Sequence, residues 1–329
     1  MNLDFFNRDE KIATDAFRLA YPFKITEHFL SLIDKNNPNC PLRKQITPSL
    51  KELDRDKDSS DDPLNEQSHE VVKNLIHRYP DRVLVRATNT CFSNCRFCTR
   101  RREVGQPGII ENIDEVCNYI KSKTVIKDVL VSGGDPFTLP KDKLLNVLEK
   151  IRKINSVGIL RIGTRSPVFF PQILDKDYAN LLKSLAPLYI NIHFNHWKEV
   201  SPETEEACNI LADAGIVLGS QSVLLKDIND SPRVLSKLYR KLLTIRVRPY
   251  YLYQMDLVTG TSHFRTPVGY GPRITRCLRG FISGMAVPQY VIDAPGGGGK
   301  VALSWDYEIK RSSRKVIFKN HEGKTFEYP

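Results

Sequence analysis

Eight residues, Cys91 to Cys98, carry three cysteines in the order CFSNCRFC, and Arg100, Arg101 and Arg102 follow at once. Thiolates this close together bind soft metals or exchange electrons. A closed structural zinc site takes four ligands, and the nearest histidines, His69 and His77, have no finger-like spacing to the trio. A redox C-x-x-C pair of Cys95 and Cys98 leaves Cys91 idle. A cluster of four irons and four sulfides held by only three thiolates uses all of them and leaves one iron open for a further ligand. The other four cysteines, Cys40, Cys117, Cys208 and Cys277, are isolated and read as buried or idle thiols. The chain's odd total of seven cysteines argues against a disulfide framework.

A second stretch, DAPGGGGK from Asp293 to Lys300, sets four glycines before a lysine. As a phosphate loop it fails, because Val301 stands where Ser or Thr belongs and no βαβ unit surrounds it. Alone, it reads as a flexible surface turn. In HRYPDR, Arg78 and Arg82 flank Tyr79; two guanidinium groups suit a dianionic phosphate, and equally suit exposed ion pairs.

The elements that must position these residues begin at residue 83. Short β-prone runs (Val83–Ala87, Val129–Ser132, Leu160–Thr164, Tyr189–Phe194, Val217–Leu224, Val247–Tyr253) alternate with amphipathic helical runs such as KDKLLNVLEKIRKI and SPETEEACNILADAG. The latter has clear boundaries: Ser201 as N-cap, Pro202 at the first helical position, Gly215 past the end. Six such repeats predict an α/β fold with parallel strands, a partial (β/α)6 TIM-like barrel over 81–256. Residues 1–80 read as a polar, helical N-terminal region ending in a charged loop, LKELDRDKDSSDDPLNEQ, outside the core. Residues 257–329 read as a C-terminal segment with a helix around 273–282 and short strands. In such barrels function gathers where strands end, and the cysteine trio, VSGGDP, RIGTRSP, NIHFNH, GSQSVLL and YYLYQMD all fall there.

The 329 residues carry a net charge of +11. That balance suits a nucleic-acid partner or, more simply, a basic protein handling anionic small molecules. No apolar run reaches membrane-span length and the N-terminus has no apolar signal region, so the default expectation is a cytoplasmic protein without membrane contact.

The cysteine loop and the glycine-lysine motif together resemble the lysine 2,3-aminomutases, radical S-adenosylmethionine enzymes that also use pyridoxal 5′-phosphate. The likeness runs from about residue 70 to 325, through RYPDRVL, CRFCTRRREVG, SGGDP, RIGTRSPV, HFNH, LADAG, QSVLL, IRVRPYYLYQMD, HFRTPV and DAPGGGGK. It implies that Cys91, Cys95 and Cys98 hold a 4Fe–4S cluster, and that Gly133, Gly134 and Asp135, with His193 and Gln221, line the S-adenosylmethionine site. It implies that Lys300 carries pyridoxal phosphate as a Schiff base, with Arg78 and Arg82 on the phosphate. Arg100 would pair with the substrate α-carboxylate, and Asp256 and Asp293 with a distal ammonium.

The implied reaction moves the amino group of L-lysine from carbon 2 to carbon 3, giving β-lysine. Arginine, ornithine or glutamate aminomutation is the nearest alternative, and a radical S-adenosylmethionine enzyme acting on nucleic acid a more distant one. A low-potential donor such as flavodoxin or ferredoxin is implied. Ser231 stands where long family members have a zinc thiolate, and no cysteine follows Cys277, so no zinc is expected and the family's tetramer is not; another homo-oligomer stays open. Shorter relatives supply β-lysine for elongation factor P, which makes that pathway an expectation here.

Overall fold

The structure is a computed structural model and describes residues 5–105, 108–312 and 315–328. Three short helices, α1 (Arg8–Ala16), α2 (Glu27–Ser31) and α3 (Pro41–Ile46), precede the sheet. Strands β1 (Glu70–Val72), β2 (Leu75–Tyr79) and β3 (Arg82–Thr88) then form an antiparallel meander. The expectation of a helical region up to residue 80 is therefore corrected: Arg78 lies on a strand.

From β3 the chain alternates as expected. The order is α4 (Ile113–Ser122), β4 (Asp128–Gly133), α5 (Lys141–Arg152), β5 (Ile159–Thr164), α6 (Ser166–Phe169), α7 (Lys176–Lys183), β6 (Leu188–His193), α8 (Pro202–Asp213), β7 (Val217–Leu224), α9 (Pro232–Thr244) and β8 (Arg248–Gln254). The sixth crossover is α10 (Tyr270–Leu278), which starts three residues earlier than predicted because Pro272 is tolerated in a first turn. It leads to β9 (Gln289–Ala294), a seventh parallel strand that the six-unit reading did not include. β10 (Gly299–Ala302) closes a hairpin on β9, and β11 (Glu308–Arg311), β12 (Val316–Lys319) and β13 (Thr325–Tyr328) form a separate antiparallel sheet.

The ten strands lie in sequence order from β1 to β10, and these two edges do not pair among the described residues. The sheet is thus an open, mostly parallel one. Alternation along the strands divides its faces. Val83, Val85, Val129, Val131, Leu160, Ile162, Ile190 and Ile192 are buried in the main core with the apolar stripes of the helices. Their neighbours in the other phase, Leu84, Leu130, Ser132, Arg161, Gly163, Asn191, Gln221, Tyr251 and Tyr253, line a cavity of about 310 Å³ on the opposite face. Mixed polarity in that second phase marks a face built around a ligand space instead of a packed core. α8 has the boundaries read from sequence: Ser201 accepts from the Thr204 amide, and Gly215 takes φ +81° just beyond the end.

The charged loop is not outside the core. Glu52 is fully buried and pairs with Arg96 at 2.6 Å and Arg101 at 2.7 Å. A carboxylate between two guanidinium groups is satisfied where a lone one could not be. The reading of a solvated loop failed because it treated these charges without their partners. Among the described residues no helix is long and apolar enough to cross a membrane.

Candidate active site

The loop after β3 carries the three thiols, and the N-terminal region clamps it. Tyr21 Oη donates to the Cys95 carbonyl at 2.9 Å, Lys24 Nζ to the Cys91 carbonyl at 2.6 Å, and Asn94 Nδ2 to the Pro22 carbonyl at 2.9 Å. Phe97, between the second and third cysteines, drops into a small apolar cluster with Met255, Val258 and Phe264. The loop is therefore anchored from two sides, one of them next to Asp256. Arg165, buried after β5, places Nη1 2.8 Å from Cys95 Sγ and is held by Gln45 and Glu199.

Burial raises all three thiol pKa values, Cys95 to about 11 even with Arg165 opposing. Cys91 also feels the charge of Cys95 and Cys98, and Cys95 that of Cys98, so the three lie close to one another. Among the described residues no group of His, Cys, Asp and Glu is gathered to hold a single metal ion. A four-iron cluster spreads its thiolates more widely than one ion does, and a half-buried all-thiol set beside a guanidinium suits it.

Beside this loop, Gly133 ends β4 with φ +121°, and a Cβ there would lie 2.3 Å from the Thr88 carbonyl. Only glycine lets β4 approach the cysteine loop so closely. The amides of Gly134 and Asp135 donate to the Thr88 and Thr90 carbonyls, so this segment can offer carbonyl oxygens, not amides, to an amino group. The Asp135 side chain faces inward and accepts from Thr164, Ser166 and the Arg165 amide; its role is to lock β4 to β5.

His193 ends β6 beside Gln221 of β7 and tilts against Phe97 with ring centroids 5.5 Å apart. Burial, with the Arg165 charge nearby, pushes its pKa down to about 3, so the ring is neutral. Asn195 Oδ1 already accepts from the Val223 amide and lies 2.9 Å from His193 Nε2. The proton therefore sits on Nε2 and Nδ1 is an acceptor.

The glycine-lysine motif is the β9–β10 hairpin. Gly296, Gly297 and Gly299 all have positive φ, which explains the glycines by turn geometry more directly than by flexibility. The register sets Lys300 opposite Asp293, with Nζ 3.1 Å from Oδ1. The Lys300 amide donates to Tyr79 Oη at 2.9 Å, and its ammonium stands 5.5 Å from the Tyr253 ring centre. Arg78 spans the same hairpin, Nε donating to the Gly297 carbonyl at 2.9 Å. Its Nη2 is buried with no partner, an orphaned donor that suits a phosphate oxygen. Arg82 stacks over Tyr79 at 4.6 Å and lines the cavity with Arg78, Lys300 and Gln221.

Asp256, in the loop after β8, accepts from Thr99 Oγ1 at 2.8 Å, directly next to Cys98. Burial and the neighbouring Asp293 charge push its pKa up to about 6. The line Cys98–Thr99–Asp256 thus approaches Asp293 and Lys300, joining the two motifs. Arg100 lines the cavity too, but its partner is Glu66, at 2.6 Å from Nη2. Of the predicted residues, Arg78, Arg82, Arg100, Gln221 and Lys300 line that cavity, Asp293 pairs with Lys300, and Asp256 meets Thr99 beside Cys98. Sequence reasoning missed Glu66, Tyr79, Tyr253, Arg161, Asn191 and Arg165. Polar residues alternating with apolar ones along β5 and β6 could have revealed Arg161 and Asn191.

An open parallel sheet with this thiol loop after its first parallel strand defines a radical S-adenosylmethionine enzyme, and residues 85–236 match the model of that superfamily. Its fold resembles that of Streptococcus suis SuiB, solved with the precursor peptide SuiA (TM-score 0.51, 13% identity, 66% of this chain and 48% of that one). Residues 275–329 match the model described as lysine-2,3-aminomutase. The L-lysine 2,3-aminomutase of Clostridium subterminale is 48% identical over 91% of this chain and 73% of its own. That of Bacillus subtilis is 45% identical over 98% and 69%, and the glutamate 2,3-aminomutase of Clostridioides difficile 40% identical over 93% and 73%. The chain belongs to the lysine 2,3-aminomutase family. Membership in the radical S-adenosylmethionine superfamily implies a 4Fe–4S cluster and S-adenosylmethionine.

Proposed function

We propose that this protein converts L-lysine to L-β-lysine. The observation that carries the reading is the layout of charge: the Arg100 guanidinium lines the cavity that contains Lys300, and two carboxylates, Asp293 paired with Lys300 and Asp256 close enough to feel both charges, stand by that lysine. An amino acid with a carboxylate at one end and a cation at the other matches that layout. Glutamate, whose distal group is anionic, would face two like charges. In this reading Cys91, Cys95 and Cys98 hold the cluster; Gly133, Gly134, His193 and Gln221 border S-adenosylmethionine. Lys300 holds pyridoxal phosphate, whose phosphate meets Arg78 and Arg82. The chemistry supplied when these groups are bound is a hydrogen-abstracting radical and a π-system that lets nitrogen migrate between adjacent carbons.

The protein's own residues bind, orient and shield. Arg78 gives the phosphate a donor that has no other use. Neutral His193 offers Nδ1 as an acceptor without adding charge near the cluster. Tyr79 and Tyr253 flank Lys300 and narrow the space around its ammonium. A flavodoxin or ferredoxin as reductant, a cytoplasmic site of action, the absence of zinc at Ser231 and delivery of β-lysine toward elongation factor P complete the reading. Its test is anaerobic turnover of lysine, arginine, ornithine and glutamate with both cofactors supplied. Lysine is expected to give the largest kcat/KM; a preference for glutamate would remove the roles given to Asp256 and Asp293.

The raised pKa of Asp256 makes a separate expectation. Its folded pKa lies above that of an unfolded aspartate, so protonation favours the folded state, and this stability is lost as pH rises through about 6. A bound ammonium needs the ionised form and relieves the cost. Lysine KM is therefore expected to rise about tenfold per pH unit below the pKa of Asp256. In Asp256→Asn the inflection should vanish and KM stay high; an unchanged pH profile would detach Asp256 from substrate binding.

A further inference from the structure

We propose that Glu66 is a positioning residue that turns Arg100 toward the substrate carboxylate. The inference rests on the lysine reading above, in which Arg100 receives that group. An arginine side chain has five N–H donors in a fixed plane and can meet a carboxylate along its Nε–Nη2 side or its Nη1–Nη2 end. Glu66 occupies the side: its oxygens lie 2.8 and 3.1 Å from Nε and 2.6 Å from Nη2. The end keeps one donor on Nη2 and those on Nη1, whose nearest acceptor is the Gly133 carbonyl at 3.5 Å. Both residues line the cavity that contains Lys300, so the substrate carboxylate is received end-on.

Glu66 is itself fixed. Its amide and that of Gln67 donate to Asp62 at 3.0 Å, and Arg102 bridges Asp62 and Glu66 at 3.2 and 3.5 Å. The segment before it is tied to the rest of the site. Ser60 pairs with Val258 beyond Asp256, Arg265 bonds Asp56, and the Gly296 amide of the lysine hairpin donates to the Pro63 carbonyl at 3.2 Å. The acidic stretch is thus a strap across the site, carrying the carboxylate that sets Arg100. Without Glu66, the guanidinium has the Gly133 carbonyl and Glu103 as nearby alternatives and loses its fixed edge.

The sign of the effect distinguishes this role from a competing one. If Glu66 merely occupied the place of a substrate carboxylate, removing its charge would strengthen lysine binding by Coulomb attraction. If it positions Arg100, binding weakens, and only for ligands that have the carboxylate. The test measures dissociation constants of lysine and of lysinamide, which lacks that charge, by the visible absorbance of the pyridoxal phosphate-loaded protein. In Glu66→Gln the preference for lysine over lysinamide is expected to shrink about tenfold, the size of a charge-assisted hydrogen bond. Lysinamide binding should change little. Glu66→Asp, which keeps the charge but withdraws it by one methylene, should also narrow the preference, and gives the same readout should Glu66→Gln not fold. Tighter lysine binding in Glu66→Gln, or equal losses for both ligands, overturns the proposal. A wild-type protein indifferent to the carboxylate would instead overturn the role of Arg100, and this inference with it.

Discussion

Replacing Lys300 by alanine is expected to abolish lysine turnover, a loss on the order of 10⁴-fold or more, as removal of a covalent catalytic group typically gives. The expectation comes from the hairpin. Lys300 is the second residue of an edge strand, its side chain is 32% exposed while that of Asp293 is 5% exposed, and the hydrogen bond from its backbone amide to Tyr79 Oη does not depend on the side chain. Alanine should leave the fold intact, so a loss of activity reports chemistry. The visible absorbance of pyridoxal phosphate bound to protein should disappear in the same variant. Lys300→Arg separates charge from covalency: it keeps a cation for Asp293 but has no amine to join the cofactor. Retention of activity or of the absorbance by either variant would contradict the assignment.

The second large effect is expected at the thiols. Cys95→Ser should lower iron and acid-labile sulfide in anaerobically reconstituted protein and bring turnover to background. A serine oxygen is a harder, weaker ligand for iron, and Arg165 Nη1 at 2.8 Å would then meet a neutral hydroxyl. Cys91→Ser and Cys98→Ser should behave alike, because a cluster on three thiolates tolerates the loss of none. Cys277→Ser, at an exposed position away from the trio, should load iron as the parent does. Equal iron content in Cys95→Ser and Cys277→Ser would remove the cluster from this loop.

Much of the parallel sheet was legible because its strands and helices declare themselves locally. Val217–Leu224 was read with its observed limits, and the caps of α8 follow from Ser201, Pro202 and Gly215. β9 was harder: QYVIDA is β-prone by itself, but its parallel pairing with β8 runs through a long connection, residues 255–288, most of which lies outside α10. LIHRY was lost inside a polar stretch, although it is a strand whose apolar half, Leu75 and Ile76, is buried.

The site divides in the same way. Motifs that gather several unusual residues in a few positions, the cysteine loop and the glycine hairpin, stood out. Glu52 and Glu66 did not, because an acidic residue in a charged run looks solvated until its arginine partner, 44 or 34 positions away, is known. Arg100 shows the limit of reading one residue at a time. It was read as a receptor for substrate alone, whereas one edge of its guanidinium is committed to Glu66 and only the other is free for a ligand.

The central claim is that the thiol loop and Lys300 serve one substrate in one cavity. Lysine labelled with deuterium at carbon 3, incubated anaerobically with cluster, S-adenosylmethionine and pyridoxal phosphate, tests it most directly. The expected result is deuterium at carbon 2 of β-lysine and on the 5′-carbon of recovered S-adenosylmethionine. Product formed with all deuterium remaining at carbon 3, and none in S-adenosylmethionine, would contradict it.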